Sequence, residues 1–361
     1  MKNIKHKIMP KRLIIHIAVI SILLFSIIWL VHKNNQHNIL STGFNNSLHP
    51  KDTISVRLPI PVVEAGQTPF YVAEELGYYA EENLNVEFNL GSKELNPVRM
   101  VASGADEFGV LGGPDTLLVA RSRGQPLVAI SVIHRNSDFP VILTLKESNL
   151  TTLKDLDGKR IGFFYGHIST DVLRNLFRNN NITVKEVDVG FDYSQLIAGN
   201  IDGQWAFRVT AGLNLPEKGI AVNEISPSDY QMNTHGYTIF TTKQMIEENP
   251  ETVLRFLRAT IRGINATLEN PRQASHILYK RGKGLDRELE YKRLLLYNEV
   301  TSNSRDYPIG RMDEAMFSET YLRLREEGVI ETDFDFHDAY TVEFLEEINP
   351  HLNETEDDKD K

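Results

Sequence analysis

The sequence predicts an α/β protein, because segments with the period of a strand alternate with segments that have the period of a helix. The first unit, within 56–90, consists of a strand at 56–60, a helix and a strand at 84–90. Its helix is predicted to begin with Thr68 as N-cap and Pro69 at the first helical position. In open α/β sheets ligands bind beyond the carboxyl ends of strands, so we expect the loop 64–70 to contact a ligand.

The rest of the body continues this alternation. Further strands are predicted at 107–111, 127–133, 139–145, 160–165, 183–189, 203–207 and 237–241. Helices are predicted at 97–103, from 113 onward, and at 169–178, 250–268, 271–280, 287–299 and 311–327. The pattern favours a lobe formed by 53–142 and 236–348, with a second lobe, 143–235, inserted into it. We expect the ligand between the lobes and a hinge at strands 141–144 and 238–241.

The N-terminal residues have a different composition. Residues 1–12 hold five basic residues and no acid, and residues 13–31 are apolar except for His16, Ser21 and Ser26. This span is long enough to cross a bilayer as a helix, and the preceding charges predict a cytoplasmic N-terminus. The lack of a cleavage motif favours a retained single-pass anchor over a cleaved signal, with the domain on the extracytoplasmic side. Residues 32–52 are predicted to be a linker, and residues 349–361 an acidic tail.

Composition narrows the function. The formal net charge of −10 argues against a nucleic-acid partner, and the absence of cysteine excludes disulfides, thiolate zinc sites and cysteine nucleophiles. No catalytic motif such as Gly-x-Ser-x-Gly, His-Glu-x-x-His or a P-loop occurs, so we expect no catalytic residues and no cofactor. The histidines are scattered and predict no helical metal pair, although a metal site assembled from distant positions stays open.

Five blocks resemble, in the same order, the NMT1/THI5-like group of solute-binding proteins. They read GQTPFYVAEELGYYAEENLNVEF, SGADEFGVLGGPDTLLVARSRGQPLVAI, LKDLDGKRIGFFYG, GYTIFTTKQMIEENPETVLRFLRATIRGINATLENPRQA and MDEAMFSETYLRLREEGVI. The resemblance covers residues 54–348 and implies a two-lobe fold of the periplasmic-binding-protein type (type II). It also implies capture of a small metabolite for an ABC permease and its ATPase. Such a ligand would be a pyrimidine precursor of thiamine biosynthesis, a sulfonate or another anionic or heteroaromatic compound.

Two alternatives accompany this interpretation. An anchored binding domain could report ligand occupancy to a membrane partner instead of serving uptake. Eukaryotic relatives are synthases that make a thiamine pyrimidine by consuming one of their own histidines, and they carry a cysteine cluster. Gln67 takes the place of that histidine here, and this chain has no cysteine. We therefore expect that this protein is not an enzyme.

The candidate ligand site consists of loops that should converge between the lobes. We expect polar contacts from Glu64, Gln67 and Asp115, stacking from Phe70, Tyr165 and Trp205, and N–H donors from the helix starts at Pro114 and Ser169. Neighbouring positions complete the set: Thr68, Gly113, Gly166, His167, Phe207 and Tyr237. Gly113-Pro114 could equally be a plain turn, and Trp205 a core residue. Arg208, which replaces the polar pattern of related proteins, could favour an anionic group or lie on the surface.

Overall fold

A computed structural model describes most of the chain after its N-terminal segment. The described residues are 52–134, 139–165, 169–190, 192–230, 232, 236–302, 309–312 and 314–349. The predicted anchor at 13–31, the basic segment before it and nearly all of the linker and acidic tail lie outside them. No helix within these residues is both long and apolar enough to span a membrane.

The described residues form two five-stranded sheets. The strands of the first sheet are β1 (Asp52–Arg57), β2 (Leu84–Asn89), β3 (Phe108–Leu111), β4 (Leu127–Val132) and β10 (Thr238–Thr242), in the order β2-β1-β3-β10-β4. Those of the second are β5 (Pro140–Leu145), β6 (Arg160–Phe163), β7 (Lys185–Asp188), β8 (Gly203–Phe207) and β9 (Val222–Ile225), in the order β7-β6-β8-β5-β9. Only β10 and β5 run antiparallel to their neighbours. The two-sheet α/β fold is as predicted.

Helices cover both sheets. In the first half they are α1 (Thr68–Glu75), α2 (Tyr78–Glu81), α3 (Pro97–Ala102), α4 (Asp115–Ser122), α5 (Ser169–Asn179), α6 (Ser194–Ile197) and α7 (Leu213–Glu217). The later ones are α8 (Lys243–Glu248), α9 (Pro250–Glu269), α10 (Pro271–Arg281), α11 (Arg287–Ser302), α12 (Glu314–Glu326) and α13 (Glu343–Ile348). Local signals locate several of these starts. The Asn96 side chain, for example, accepts the Val98 N–H at 2.9 Å and caps α3 as expected.

Three predicted boundaries are wrong. The first strand ends at Arg57, before a segment in which Pro59 and Pro61 provide no backbone N–H for pairing. Thr68 is the first helical residue and not the N-cap, because a short turn of 3₁₀ helix at Ala65–Gln67 leads into α1. The lobe boundary at 142–143 falls inside β5, which belongs wholly to the second sheet.

The predicted hinge is also misplaced. β5 pairs with β8 and β9, and β10 pairs with β3 and β4, so both strands are held on two sides within a single sheet. The chain instead passes between the sheets after Val132 and again after Ile225. We call these two connections, 133–139 and 226–237, the crossing segments.

Each sheet has hydrophobic cores on its two faces, as expected for mainly parallel strands. On one face of the first sheet Phe108 stacks on Phe256 of α9 with ring centroids 4.2 Å apart, and Phe240 packs with Phe317 of α12 on the other. In the second sheet Phe163 and Trp205 lie in one core and Val141 in the opposite one. The sheets are therefore rigid platforms for the loops at their edges.

Candidate ligand site

The topology brings the carboxyl-end edges of the two sheets together. In each sheet four strands end at the same edge, where the fifth, antiparallel strand begins. The first crossing segment leaves the edge of the first sheet after β4 and enters the edge of the second before β5. The second crossing segment returns from β9 to β10 between the same two edges. The loops that follow these strands therefore border one cleft, which is where open α/β sheets bind ligands.

Glu64 in the loop after β1 is held from the second crossing segment. Its Oε1 accepts a hydrogen bond from the Tyr237 hydroxyl at 2.7 Å, and its side chain also hydrogen-bonds Tyr297 of α11. Burial raises the pKa of the Glu64 carboxyl, against the opposing influence of these hydrogen bonds and of Arg293. Both predicted residues, Glu64 and Tyr237, thus meet at the cleft edge, bonded to each other.

An aromatic cluster surrounds this contact, and we call it the hinge cluster: His134, Phe139, Tyr237 and Tyr297. His134 stacks on Tyr297 at 5.0 Å between centroids and meets the edge of Phe139 at 5.3 Å. Its Nδ1 accepts the Tyr237 N–H at 3.3 Å, which fits a neutral imidazole. Burial lowers the pKa of His134 to about 3. Gly236 is required here, because a Cβ at this position would lie 2.7 Å from the Cβ of His134.

Sequence reasoning missed most of the hinge cluster. His134 follows a buried strand directly and Phe139 lies just before the next, so proximity to a crossing segment was the available signal. Tyr297 lies within a helix, where no such signal exists.

A cavity of about 10 Å³ lies between His134, Tyr297 and Gly66, and it has room for about one water molecule. Metabolite sites need hundreds of Å³, so this cavity is too small to be the ligand site, and the cleft is the candidate site because of the strand topology.

In the loop after β1, several residues that were predicted to contact the ligand are instead buried within the protein. Phe70 is fully buried against Phe88, with ring centroids 5.8 Å apart, so its assignment as a stacking surface is wrong. Gln67 is also fully buried. Its Nε2 donates to the Val62 carbonyl at 3.0 Å and its Oε1 accepts the Tyr71 hydroxyl at 2.8 Å. Gln67 therefore holds the loop in shape, and Thr68 beside it is equally buried.

The loop after β3 is fixed from the C-terminal part of the chain. Asp115, the first residue of α4, forms a buried ion pair with Arg323 of α12, so its carboxylate is already bound within the first lobe. Pro114 is buried as well. Gly112 is exposed and Gly113 is half-buried, so the backbone there remains open to a solute. The sequence analysis did not predict this contact with Arg323.

In the second lobe Tyr165 is the accessible aromatic residue after β6, with 47% of its surface exposed. The Arg174 guanidinium lies 5.2 Å from its ring centroid and pairs with Glu186 at 2.7 Å. Gly166 and His167 lie outside the described residues. Ser169 begins α5 as predicted, so the helix start faces the same edge.

Trp205 lies in the core of the second lobe. Only 3% of its surface is exposed, and its ring meets Phe207 nearly perpendicularly at 4.6 Å. This position favours the core interpretation over ligand stacking. Phe207 is half-buried at the end of β8 and packs against the cores of both lobes, so it is the aromatic side chain that spans the cleft edge.

Three of the described arginines near the edges are paired. Nε of Arg208 lies 2.8 Å from Oε2 of Glu224, and Nε of Arg57 lies 2.7 Å from Oδ2 of Asp106. Arg293 pairs with Glu290. Their charges are compensated within the protein. No cluster of three histidine or acidic side chains suited to a metal occurs in the part of the chain described.

The family follows from comparison with known proteins. A model described as NMT1/THI5 like matches residues 64–274, more than half of the chain. The protein belongs to the NMT1/THI5-like family. This confirms the resemblance found in the sequence blocks, and the match includes the loop around Glu64, both crossing segments and all of the second lobe.

Proteins similar in sequence to this chain include binding proteins and synthases. Riboflavin-binding protein RibY of Chloroflexus aurantiacus is 26% identical over 295 residues, 77% of this chain and 82% of that one. A formylaminopyrimidine-binding protein of Halalkalibacterium halodurans is 25% identical over 287 residues, 77% and 86% of the two chains. A 4-amino-5-hydroxymethyl-2-methylpyrimidine phosphate synthase of Legionella pneumophila is 26% identical over 294 residues, 77% and 88%.

Solved structures share the fold. The periplasmic aliphatic sulphonate-binding protein SsuA of Escherichia coli superposes with a TM-score of 0.64 at 16% identity, covering 81% of this chain and 92% of that one. At this identity the likeness shows the fold alone. It confirms a periplasmic-binding-protein-like arrangement of two α/β sheets.

Proposed function

We propose that this NMT1/THI5-like protein is an extracytoplasmic solute-binding protein that captures an uncharged heteroaromatic metabolite between its lobes for an ABC importer. The observation that carries the proposal is the meeting of two carboxyl-end edges across two crossing segments, the geometry of a cleft that closes by hinge motion. Tyr165 and Phe207 offer aromatic surface at this cleft, and the open backbone at Gly112 and Gly113 offers hydrogen bonds.

The ligand class is supported by charge and by the relatives. Three of the arginines described near the cleft are already paired within the protein, which disfavours a sulfonate at these positions, and two relatives are named for binding riboflavin or formylaminopyrimidine, both planar heterocycles. The predicted anchor at 13–31 supports a position outside the cytoplasm, where the permease and its ATPase would be the partners. We do not propose synthase chemistry, because Gln67 stands in place of the reactive histidine and both ends of its amide are engaged within the protein.

The test is a thermal and denaturant shift of the full-length protein with riboflavin, formylaminopyrimidine and an alkanesulfonate. A bound solute at 100 times its dissociation constant adds about 2.7 kcal/mol to the free energy of unfolding. We expect such a shift with a heterocycle, together with a smaller radius of gyration in solution scattering. Stabilisation by the sulfonate alone would contradict the ligand class. A scattering profile unchanged at saturation would contradict closure.

A further inference from the structure

Helix α11 of the first lobe contacts both the ligand loop and the second lobe. On the first side, the Ala65 N–H donates to Oε2 of Glu290 at 3.0 Å, a buried contact between residues 225 positions apart. Glu290 in turn pairs with Arg293, one helical turn further along α11. The two side chains are only 5% and 12% exposed, so this pair is held away from bulk water.

On the other side, Arg293 reaches the segment that follows β8. Its Nε donates to the Val209 carbonyl at 2.6 Å, and its Nη2 to Oδ1 of Asn214 at 3.3 Å. Val209 is itself buried and packs into the core of the first lobe. A continuous path of charge-assisted hydrogen bonds therefore runs from the ligand loop, through Glu290 and Arg293, to the second lobe.

The two halves of this path depend on each other. A buried guanidinium binds strongly when its fork of donors is fully used, and a buried carboxylate without its partner carries a large desolvation cost. Motion that withdraws Val209 from α11 removes one set of acceptors from Arg293 and changes its hold on Glu290. The hydrogen bond of the Ala65 N–H to Glu290, and with it the loop that carries Glu64, therefore responds to the position of the second lobe.

We propose that Glu290 and Arg293 form a relay that couples the geometry of the ligand loop to the position of the second lobe. Arg293 is then a positioning residue for solute capture, acting through Glu290 and Val209 without touching the solute. Its use in capture rests on the proposed function, whereas the relay itself is a property of the fold that can be measured without a solute.

The test is hydrogen exchange on the full-length protein, read in peptides covering 62–68 and 208–215. The variants are Glu290→Gln, Arg293→Met and the double variant. Lys292→Met is the matched control, since the Lys292–Glu217 ion pair also joins the lobes but is exposed and does not contact the ligand loop. Loss of a charge-assisted hydrogen bond makes local opening about tenfold more frequent.

Glu290→Gln should accelerate exchange in both peptides, although Glu290 does not contact 208–215. The double variant should exchange no faster than Arg293→Met, and Lys292→Met should leave 62–68 at the wild-type rate. Acceleration by Glu290→Gln confined to 62–68, or additive effects in the double variant, would overturn the relay. A purely structural role would instead raise exchange uniformly over the lobe.

If Arg293→Met does not fold, Arg293→Lys and Glu290→Gln decide the question. Lysine keeps the charge beside Glu290 but lacks the second donor arm, so exchange should rise in 208–215 more than in 62–68. Wild-type rates in both peptides would refute the relay.

Riboflavin serves as the probe for coupling to capture, and its affinity should fall in Arg293→Met but not in Lys292→Met. If neither riboflavin nor formylaminopyrimidine binds the wild type, the proposed ligand class is in error, and the exchange result still decides the relay.

Discussion

His134 should make the protein lose stability in mild acid. Its imidazole is buried in the hinge cluster and has a pKa of about 3, whereas the unfolded chain takes up a proton near pH 6.5. Between these values the unfolded state binds more protons, so the free energy of unfolding rises with pH and falls as the solution is acidified below pH 6.5. Between pH 6.5 and pH 5 this amounts to about 2 kcal/mol, at about 1.4 kcal/mol per pH unit.

The assay is urea unfolding at pH 7.5 and pH 5 for the wild type and His134→Asn. The asparagine Oδ1 can accept the Tyr237 N–H in place of Nδ1 and does not titrate. Between pH 7.5 and pH 5 the free energy of unfolding of His134→Asn should therefore fall by about 2 kcal/mol less than that of the wild type. Buried Glu64 and Glu290, whose pKa values are raised by burial, change stability in the opposite direction, but they are present in both proteins and cancel in the comparison.

His337 provides the control. It is exposed between Asp335 and Glu314, which raise its pKa, so any stability it contributes is present below pH 6.5 and is lost as the pH rises. His337→Gln should not protect against acid. If His134→Asn loses as much stability as the wild type between pH 7.5 and pH 5, the neutral buried imidazole is refuted.

Two further substitutions test the interior of each lobe. Trp205→Ala should lower the free energy of unfolding by about 3–5 kcal/mol through a cavity in the second core and leave the affinity per folded molecule unchanged; weaker binding at normal stability, seen by titration beside urea unfolding, would restore Trp205 to the site. Arg323→Met should cost about 3–5 kcal/mol, because it leaves Asp115 buried without its ion-pair partner. Adding Asp115→Asn should recover part of that loss, and strictly additive losses in the double-mutant cycle would disprove the coupling.

The sequence predicted several elements to within a few residues because their signals are local. The Asn96 cap, the proline starts of α9 and α10 and the period-two pattern of β2 each depend on neighbouring residues, and each element lies within a few residues of its prediction. The boundaries that failed depend on pairing. Whether β5 belongs to one sheet or joins two is decided by its partners β8 and β9, which lie far along the chain.

The site was harder to predict for the same reason. Phe70 has helical spacing and lies near the ligand loop, but the spacing does not tell which face of α1 meets the core, and Phe88 settles it. The contact of Glu64 with Tyr237 joins residues 173 positions apart, and that of Asp115 with Arg323 joins residues 208 apart. Only the fold brings them together. Glu64, Tyr165 and Tyr237 lie at the ends of strands and stay predicted ligand residues.

The place of β10 between β3 and β4 constrains the order in which the chain can fold. A nascent chain that has grown only to the end of β9 holds the second sheet complete and contiguous, with all five of its strands between residues 140 and 225. The first sheet at that stage has a gap between β3 and β4 where β10 belongs, and β4 has no neighbouring strand to pair with. The lobe that begins first must therefore finish last, and the inserted lobe can form before the one that encloses it in sequence.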